Sequence, residues 1–192
     1  IDDVRVYKKA LSTTEIANVY NSGNGREITV APITTFTPSS GPTAATEETT
    51  PGPVAYWKFD EGQGQTINDQ TTHRNAGTLG ATSAVTTDDP TWIEEGRCVS
   101  GKCLQFDGSN DVVNMGDVLD FERTNAFSFN FWVKSPAGSG SLFVVAKQDN
   151  YNTGEGYHVS LLNTGIVQFF LANHGTANRI DIRGTTNVRD NK

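Results

Sequence analysis

The chain opens with IDDVRVYKKALSTTEIANVYNSG (residues 1–23), and its first seven residues alternate between two faces. Val4 and Val6 share one face with Asp2, and the polar residues between them point the other way. A period of two is typical of a β-strand that is buried on one side. The stretch therefore predicts a half-buried strand over residues 1–7.

A short helix is predicted directly after this strand. Ser12 and Glu15 have the spacing of a capping box, in which each side chain accepts a hydrogen bond from the other residue's backbone N–H. Gly23 is placed to end the helix, because glycine adopts the left-handed conformation without steric cost. A strand followed by a capped helix reads as the end of a domain.

Short alternating segments separated by Gly, Asn and Asp make up most of the remaining chain. The sequence Asn163-Thr164-Gly165 predicts a hairpin turn between two of them. His158 falls on the face opposite to its apolar neighbours, where solvent exposure or a structural hydrogen bond is expected. The pattern predicts an antiparallel two-sheet sandwich. The apolar positions are Ala55/Trp57/Phe59, Phe127/Phe129/Phe131/Val133, Tyr157/Val159/Leu161, Val167/Phe169/Leu171 and Ile180/Ile182.

Two parts of the chain resemble laminin-G-like repeats, the concanavalin A-like jelly-roll domains found in tandem on bacterial and archaeal surface proteins. Residues 1–23 are similar to the strand and helix that close such a repeat. From Val54, the motifs VAYWKFDEGQGQTINDQTTHRNAGTL, GKCLQFDGSNDVVNMG, AFSFNFWVKSP, SLFVVAKQDN and GYHVSLLNTGIVQFFLA follow the order in which a repeat begins. The resemblance implies an all-β, concanavalin A-like antiparallel β-sandwich (jelly roll), incomplete, with one short helix near the N-terminus.

The resemblance divides the chain into the closing strand and helix of one repeat (1–30), a linker (31–53) and the N-terminal part of a second repeat (54–192). The linker holds five prolines and many Thr and Ser, so it predicts an extended spacer or an O-glycosylated stalk. Residues 1–7 either stay apart or fill the final-strand position of the second repeat. Docking is possible because a long loop between the two segments adds little closure entropy. Both alternatives stay open.

Charge and hydropathy exclude two classes of partner. The net charge is −7 and the Lys and Arg residues are dispersed, which disfavours nucleic acid and anionic membrane surfaces. No segment approaches the roughly 20 apolar residues of a membrane helix. We therefore expect no nucleic-acid binding and no membrane insertion, and the resemblance adds neighbouring repeats of the same chain as partners.

Cys98 and Cys103 are the only cysteines, and a Gly-containing turn separates them. They can form a disulfide, bind a metal or remain free thiols. A zinc site needs four ligands, and the three histidines are scattered, so the spacing favours a disulfide. A disulfide predicts an oxidising environment, outside the cell or at its surface.

Acidic residues at strand ends predict a structural calcium site. Asp60 follows a strand, and Asp107 and Asp111 frame an oxygen-rich turn, DGSND. In related jelly rolls a calcium ion often ties the closing-strand aspartate to the early strands, and Asp2 matches that position. Calcium prefers six to eight oxygen ligands, including carbonyls at such turns. Alternatively, these side chains cap the backbone of their own turns.

Recognition is a better prediction than catalysis. The E-x-D-x-E pattern of the related glucanases, which places two carboxylates in a cleft, does not occur, and a G-x-S-x-G motif is also missing. Trp92 and Tyr151 are candidate aromatic residues for stacking on sugar rings, or simple loop anchors. We expect a non-catalytic extracellular module that binds a glycan or a surface protein. The alternatives are a calcium-stiffened spacer and an accessory domain of a polysaccharide-degrading enzyme.

Overall fold

A computed structural model describes residues 1–21, 52–94, 96–122, 124–136, 140–148, 155–173 and 179–189. Within these residues the chain forms twelve β-strands and one α-helix, and the strand ladders are antiparallel. The all-β prediction is confirmed, and the jelly-roll connectivity stays a prediction. The elements are β1 (Asp2–Tyr7), α1 (Thr13–Tyr20), β2 (Ala55–Trp57), β3 (Thr66–Ile67), β4 (Gly77–Leu79), β5 (Thr91–Ile93), β6 (Cys103–Gln105), β7 (Val113–Asn114), β8 (Ser128–Trp132), β9 (Leu142–Gln148), β10 (Gly156–Leu161), β11 (Ile166–Ala172) and β12 (Arg179–Asn187).

Strand β1 lies in the middle of a three-stranded sheet, between β2 and β8. Val4 pairs with Trp57 on one side, and Val6 pairs with Phe129 on the other. The first strand therefore docks onto the later segment, which decides the alternative that the sequence left open. The predicted strand is confirmed at Asp2–Tyr7, but all six of its residues are buried, so the prediction that only one face is buried is wrong. A central strand that is covered on both faces has no solvent-facing side.

Helix α1 begins with the predicted capping box. The backbone N–H of Glu15 donates to Ser12 Oγ, and the Glu15 carboxylate accepts from the Ser12 N–H at 2.8 Å. The helix ends at Tyr20, earlier than the predicted end at Gly23. Asn21 takes the left-handed C-cap conformation, φ 44°, which asparagine adopts more readily than most residues.

A four-stranded sheet in the order β12-β11-β10-β9 forms the second layer. The predicted turn at residues 163–165 joins β10 and β11, and Gly165 adopts φ 80° there. Tyr157 on β10 contacts the rings of Phe127 and Phe129 at 5.6 and 5.4 Å, which joins this layer to the segment around β8. Face-to-face contact between two sheets is the arrangement expected of a sandwich.

The buried core lies between β1, β2 and the short hairpins. It combines valines of β1, aromatic residues of the segment after Val54 and aliphatic residues of β3, β4 and β6. Because residues of β1 and of the segment after Val54 meet there, β1 is part of the core of the second segment. The buried members are Val4, Val6, Ala55, Trp57, Phe59, Ile67, Leu79 and Leu104.

Candidate functional site

The predicted disulfide is present between Cys98 and Cys103, with the two Cα atoms 5.6 Å apart. This pairing excludes the metal-thiolate and free-thiol alternatives for these two residues. Cys103 begins β6, which pairs with β5, so the disulfide closes a small loop at the end of this hairpin.

Asp2 fastens β1 to the disulfide loop. Its Oδ2 accepts from the backbone N–H groups of Val99 at 2.9 Å and Ser100 at 3.1 Å. Its Oδ1 is buried and has no hydrogen-bond partner within the part of the chain that the structure describes. Burial raises the pKa of Asp2 to about 6, although the two N–H donors act in the opposite direction. Ionisation of Asp2 is therefore more costly than that of an exposed carboxyl group.

Asp60 holds the same loop from another side, because its Oδ1 accepts from the Lys102 N–H at 2.9 Å. Two of the four predicted metal ligands therefore converge on one loop, but as acceptors of backbone hydrogen bonds. The short loop between the two cysteines could have indicated this role for the carboxylates, because the backbone N–H groups of such a loop need acceptors.

Asp107 and Asp111 form a local turn. Asp111 Oδ2 accepts from the Asp107 N–H at 2.6 Å, and Asp107 Oδ1 accepts from the Ser109 N–H at 2.7 Å. These are the backbone-capping contacts of the alternative interpretation. Among the described residues, no group of three or more His, Cys, Asp or Glu side chains is placed to hold a metal ion. In the described part of the chain the four predicted carboxylates are not gathered into one group, and calcium binding stays a hypothesis.

The aromatic candidates have different outcomes. Trp92 lies in β5 rather than in a loop, packs against the core, and donates from its indole Nε1 to the Gly64 carbonyl at 3.2 Å. These contacts are those of a structural anchor. Tyr151 lies outside the described residues.

A cleft of about 1150 Å³ opens between the disulfide hairpin and the start of β9. Its lining combines apolar side chains such as Leu104 and Leu142 with a polar border that includes Asp107, Asp111 and Lys134. The turn at residues 107–111 therefore faces a concave space, although its carboxylates serve the turn itself.

A second surface combines aromatic and polar groups, and we call it the His158 face. The pairing register places its side chains on the side of the four-stranded sheet opposite to Tyr157. His158 pairs with Phe170, and Phe170 pairs with Asp181 on the edge strand. The members of the His158 face are Phe143, Gln148, His158, Ser160, Gln168, Phe170, Asp181 and Arg183.

Three of these residues form a chain of side-chain hydrogen bonds across the sheet. Ser160 Oγ donates to Gln168 Oε1 at 3.2 Å, and Gln168 Nε2 donates to Asp181 Oδ1 at 2.8 Å. Arg183 forms two further bonds to the Asp181 carboxylate, at 3.2 and 3.1 Å. The donors of Arg183 and Gln168 lower the pKa of Asp181, so that the carboxylate is ionised at neutral pH.

Aromatic rings flank His158 on the other side of this network. Its ring stacks on Phe170 at 4.9 Å and meets the edge of Phe143 at 5.0 Å. Its Nδ1 lies 2.8 Å from Gln148 Oε1. Burial lowers the pKa of His158, which keeps the imidazole neutral. The structural-hydrogen-bond expectation for His158 is therefore confirmed.

Phe143 is 52% exposed, whereas His158, Ser160 and Gln168 are buried. The His158 face therefore presents to solvent one aromatic ring on β9 and the ion pair of Asp181 and Arg183 on β12. Such a surface can stack on the apolar side of a small polar ligand and form hydrogen bonds with it. Sequence reasoning missed this surface, because its residues come from four strands. The sequence did contain an indication, because His158, Gln168 and Asp181 are polar residues between the apolar positions of their strands.

No protein-family model matches the chain, and no curated protein matches it. The crystal structure of an S-layer domain-containing protein (residues 221–444) from Clostridium thermocellum ATCC 27405 is similar, with a TM-score of 0.47 and 16% sequence identity. The match covers 69% of this chain and 57% of that chain. At this TM-score the likeness carries no argument about function. No helix within the described ranges is long and apolar enough to cross a membrane.

Proposed function

We propose that the protein is a non-catalytic recognition module that binds carbohydrate on the His158 face. The observation that carries the proposal is the exposed Phe143 ring on β9, on the same face of the four-stranded sheet as the Gln168–Asp181–Arg183 hydrogen-bond network. Sugars have apolar faces that stack on aromatic rings and hydroxyls that bond to carboxylates, amides and guanidinium groups. The resemblance to laminin-G-like repeats is consistent with this class of ligand.

The disulfide supports a location outside the cytoplasm, because disulfides persist in oxidising compartments. We therefore place the module in an extracellular or cell-surface protein. A protein ligand is the second kind of partner for the same face, and an accessory role beside a polysaccharide-degrading enzyme would use the same sugar-binding surface.

A glycan array probed with the whole chain tests this proposal. Phe143→Ala should weaken binding of any sugar that the wild type retains by about fivefold, since an aromatic contact contributes about 1 kcal/mol beyond its buried area. Tyr20→Ala is the matched control, because Tyr20 is also an exposed aromatic residue, 54%, but lies on α1. Folded wild-type protein without hits, or equal losses in both variants, would refute carbohydrate binding on this face.

The second candidate is a calcium-stiffened structural spacer, and the buried Oδ1 of Asp2 is the observation that favours it. A cation near this oxygen would remove the desolvation cost that raises its pKa. Thermal unfolding in calcium and in chelator is the test. A melting temperature that rises with calcium in the wild type, and not in Asp2→Asn, supports the spacer, whereas identical curves exclude a stabilising calcium ion.

A further inference from the structure

Strand β1 occupies a place in the sheet that the later segment leaves between β2 and β8. It forms backbone hydrogen bonds with both neighbours, and the Val54 N–H donates to the Val6 carbonyl at 2.7 Å. We call this place the strand slot, and its occupant is the segment Asp2–Tyr7. The occupant is distant in sequence from the strands on either side of it, since residues 21–54 lie between the end of α1 and the start of β2.

The slot recognises its occupant through side chains as well as through the backbone. Arg5 is fully buried and donates to the hydroxyl of Tyr56, which belongs to β2, at 3.0 Å. Its guanidinium also lies over the Tyr56 ring, 4.5 Å from the centroid. A strand with an apolar residue in place of Arg5 would leave Tyr56 without this donor.

The ends of the occupant are also fixed by the later segment. Asp2 accepts from Val99 and Ser100, and the carbonyl of Ile1 accepts from the Leu104 N–H at 3.0 Å. After β1, Ser128 Oγ bonds to the backbone of the segment that leads into α1. These contacts define register and direction, so the slot is specific for residues 1–20 as a unit.

We propose that the strand slot accepts the same strand from a second copy of this chain, so that copies join by strand exchange. The second copy is the occupant that the contacts specify, because its residues 1–20 can reproduce every hydrogen bond that the strand forms within one chain. Exchange of an identical element has a low free-energy cost. Because the contacts are the same in both forms, the intramolecular form is favoured only through its effective concentration, and a higher protein concentration favours exchange.

The first experiment uses the whole chain and a labelled synthetic peptide of residues 1–20. The protein is warmed to just below its melting temperature with excess peptide and cooled, and the label is followed in size-exclusion chromatography. We expect the wild-type peptide to elute with the protein and to lose this association when it carries Arg5→Glu. Incorporation of neither peptide, or of both equally, would overturn the proposal.

A second experiment removes residues 21–53, which joins Tyr20 directly to Val54. The Tyr20 ring stacks on Trp132, which pairs with Asp2, whereas Val54 bonds to Val6. Asp2 and Val6 are about 13 Å apart along a strand at ~3.3 Å per residue, and one peptide link spans ~3.8 Å. The folded variant should therefore be oligomeric in light scattering, and a folded monomer would contradict exchange. If the variant does not fold, the peptide experiment alone decides.

Discussion

Replacing Arg5 with methionine tests the buried ion pair that anchors β1. Arg5 is 0% exposed and donates to the Asp3 carboxylate at 2.8 Å and to the Tyr56 hydroxyl at 3.0 Å. Arg5→Met keeps most of the side-chain volume but leaves Asp3, which is 6% exposed, without its cationic partner. Removing one partner of a buried pair costs about 3 to 5 kcal/mol. The cation–π contact with Tyr56 is lost as well.

This loss is a large share of the free energy of unfolding, which is about 5 to 15 kcal/mol for an ordinary domain. With a urea slope of about 2 kcal/mol per molar, the midpoint should fall by about 2 M. Urea titration followed by tryptophan fluorescence measures the shift. Lys8→Met is the matched control, because Lys8 is exposed next to β1 and its substitution should change stability by less than about 0.5 kcal/mol.

A double variant separates the ion pair from general damage. Asp3 adopts φ 55°, a left-handed conformation that asparagine also tolerates, so Asp3→Asn removes the charge without adding backbone strain. Combined with Arg5→Met, it should cost less than the sum of the two single changes, because no uncompensated charge remains. Additive losses, or an Arg5→Met variant as stable as Lys8→Met, would refute the argument.

The remaining predictions concern Asp2, the disulfide loop and the turn between β10 and β11. Because burial raises the pKa of Asp2 to about 6, the folded protein binds a proton at Asp2 more tightly than the unfolded chain does. This difference stabilises the fold below about pH 4, and the stabilisation, about 3 kcal/mol, is lost as the pH rises through 6. Chelator-treated Asp2→Asn should lack this component, so an unfolding free-energy difference from wild type that stays constant between pH 4 and 7 would contradict it. Replacing Cys98 and Cys103 with alanine should lower the free energy of unfolding by about 2 kcal/mol in denaturant titrations, and reducing agent should then have no further effect. Gly165→Ala should lower the melting temperature, because it places a Cβ against the Asn187 side chain at a backbone φ of 80° that favours glycine. A melting temperature unchanged from wild type would show that this turn tolerates other residues.

Local chemistry explains the predictions that the structure confirms. The capping box at Ser12 and Glu15 closes within one helical turn, so neighbouring residues suffice to specify it. The disulfide joins cysteines five positions apart, and the turn at Gly165 joins two strands whose apolar residues lie on the same face of the sheet. The all-β class follows from the alternation along these strands, because the period of two needs no knowledge of distant partners.

The outcomes that the sequence did not predict all depend on contacts between distant residues. Alternation indicated one buried face for β1, yet all six of its residues are buried in the fold. The carboxylates of Asp2 and Asp60 resemble metal ligands in the sequence, but in the fold they bind N–H groups of one disulfide loop. Whether a carboxylate meets a cation or a backbone donor depends on which loop packs against it.

The His158 face shows the same division between sequence and structure. Each strand carries its polar residues at the positions that alternation specifies, and this much is local. Their assembly into one surface needs the register of four strands, and a shift of one residue in any ladder would move Asp181 or Phe143 to the opposite face. The sequence alone determined the fold class, the helix cap and the disulfide, because these depend on near neighbours. The tertiary structure decided the strand slot and the His158 face, because they exist only where distant strands pair.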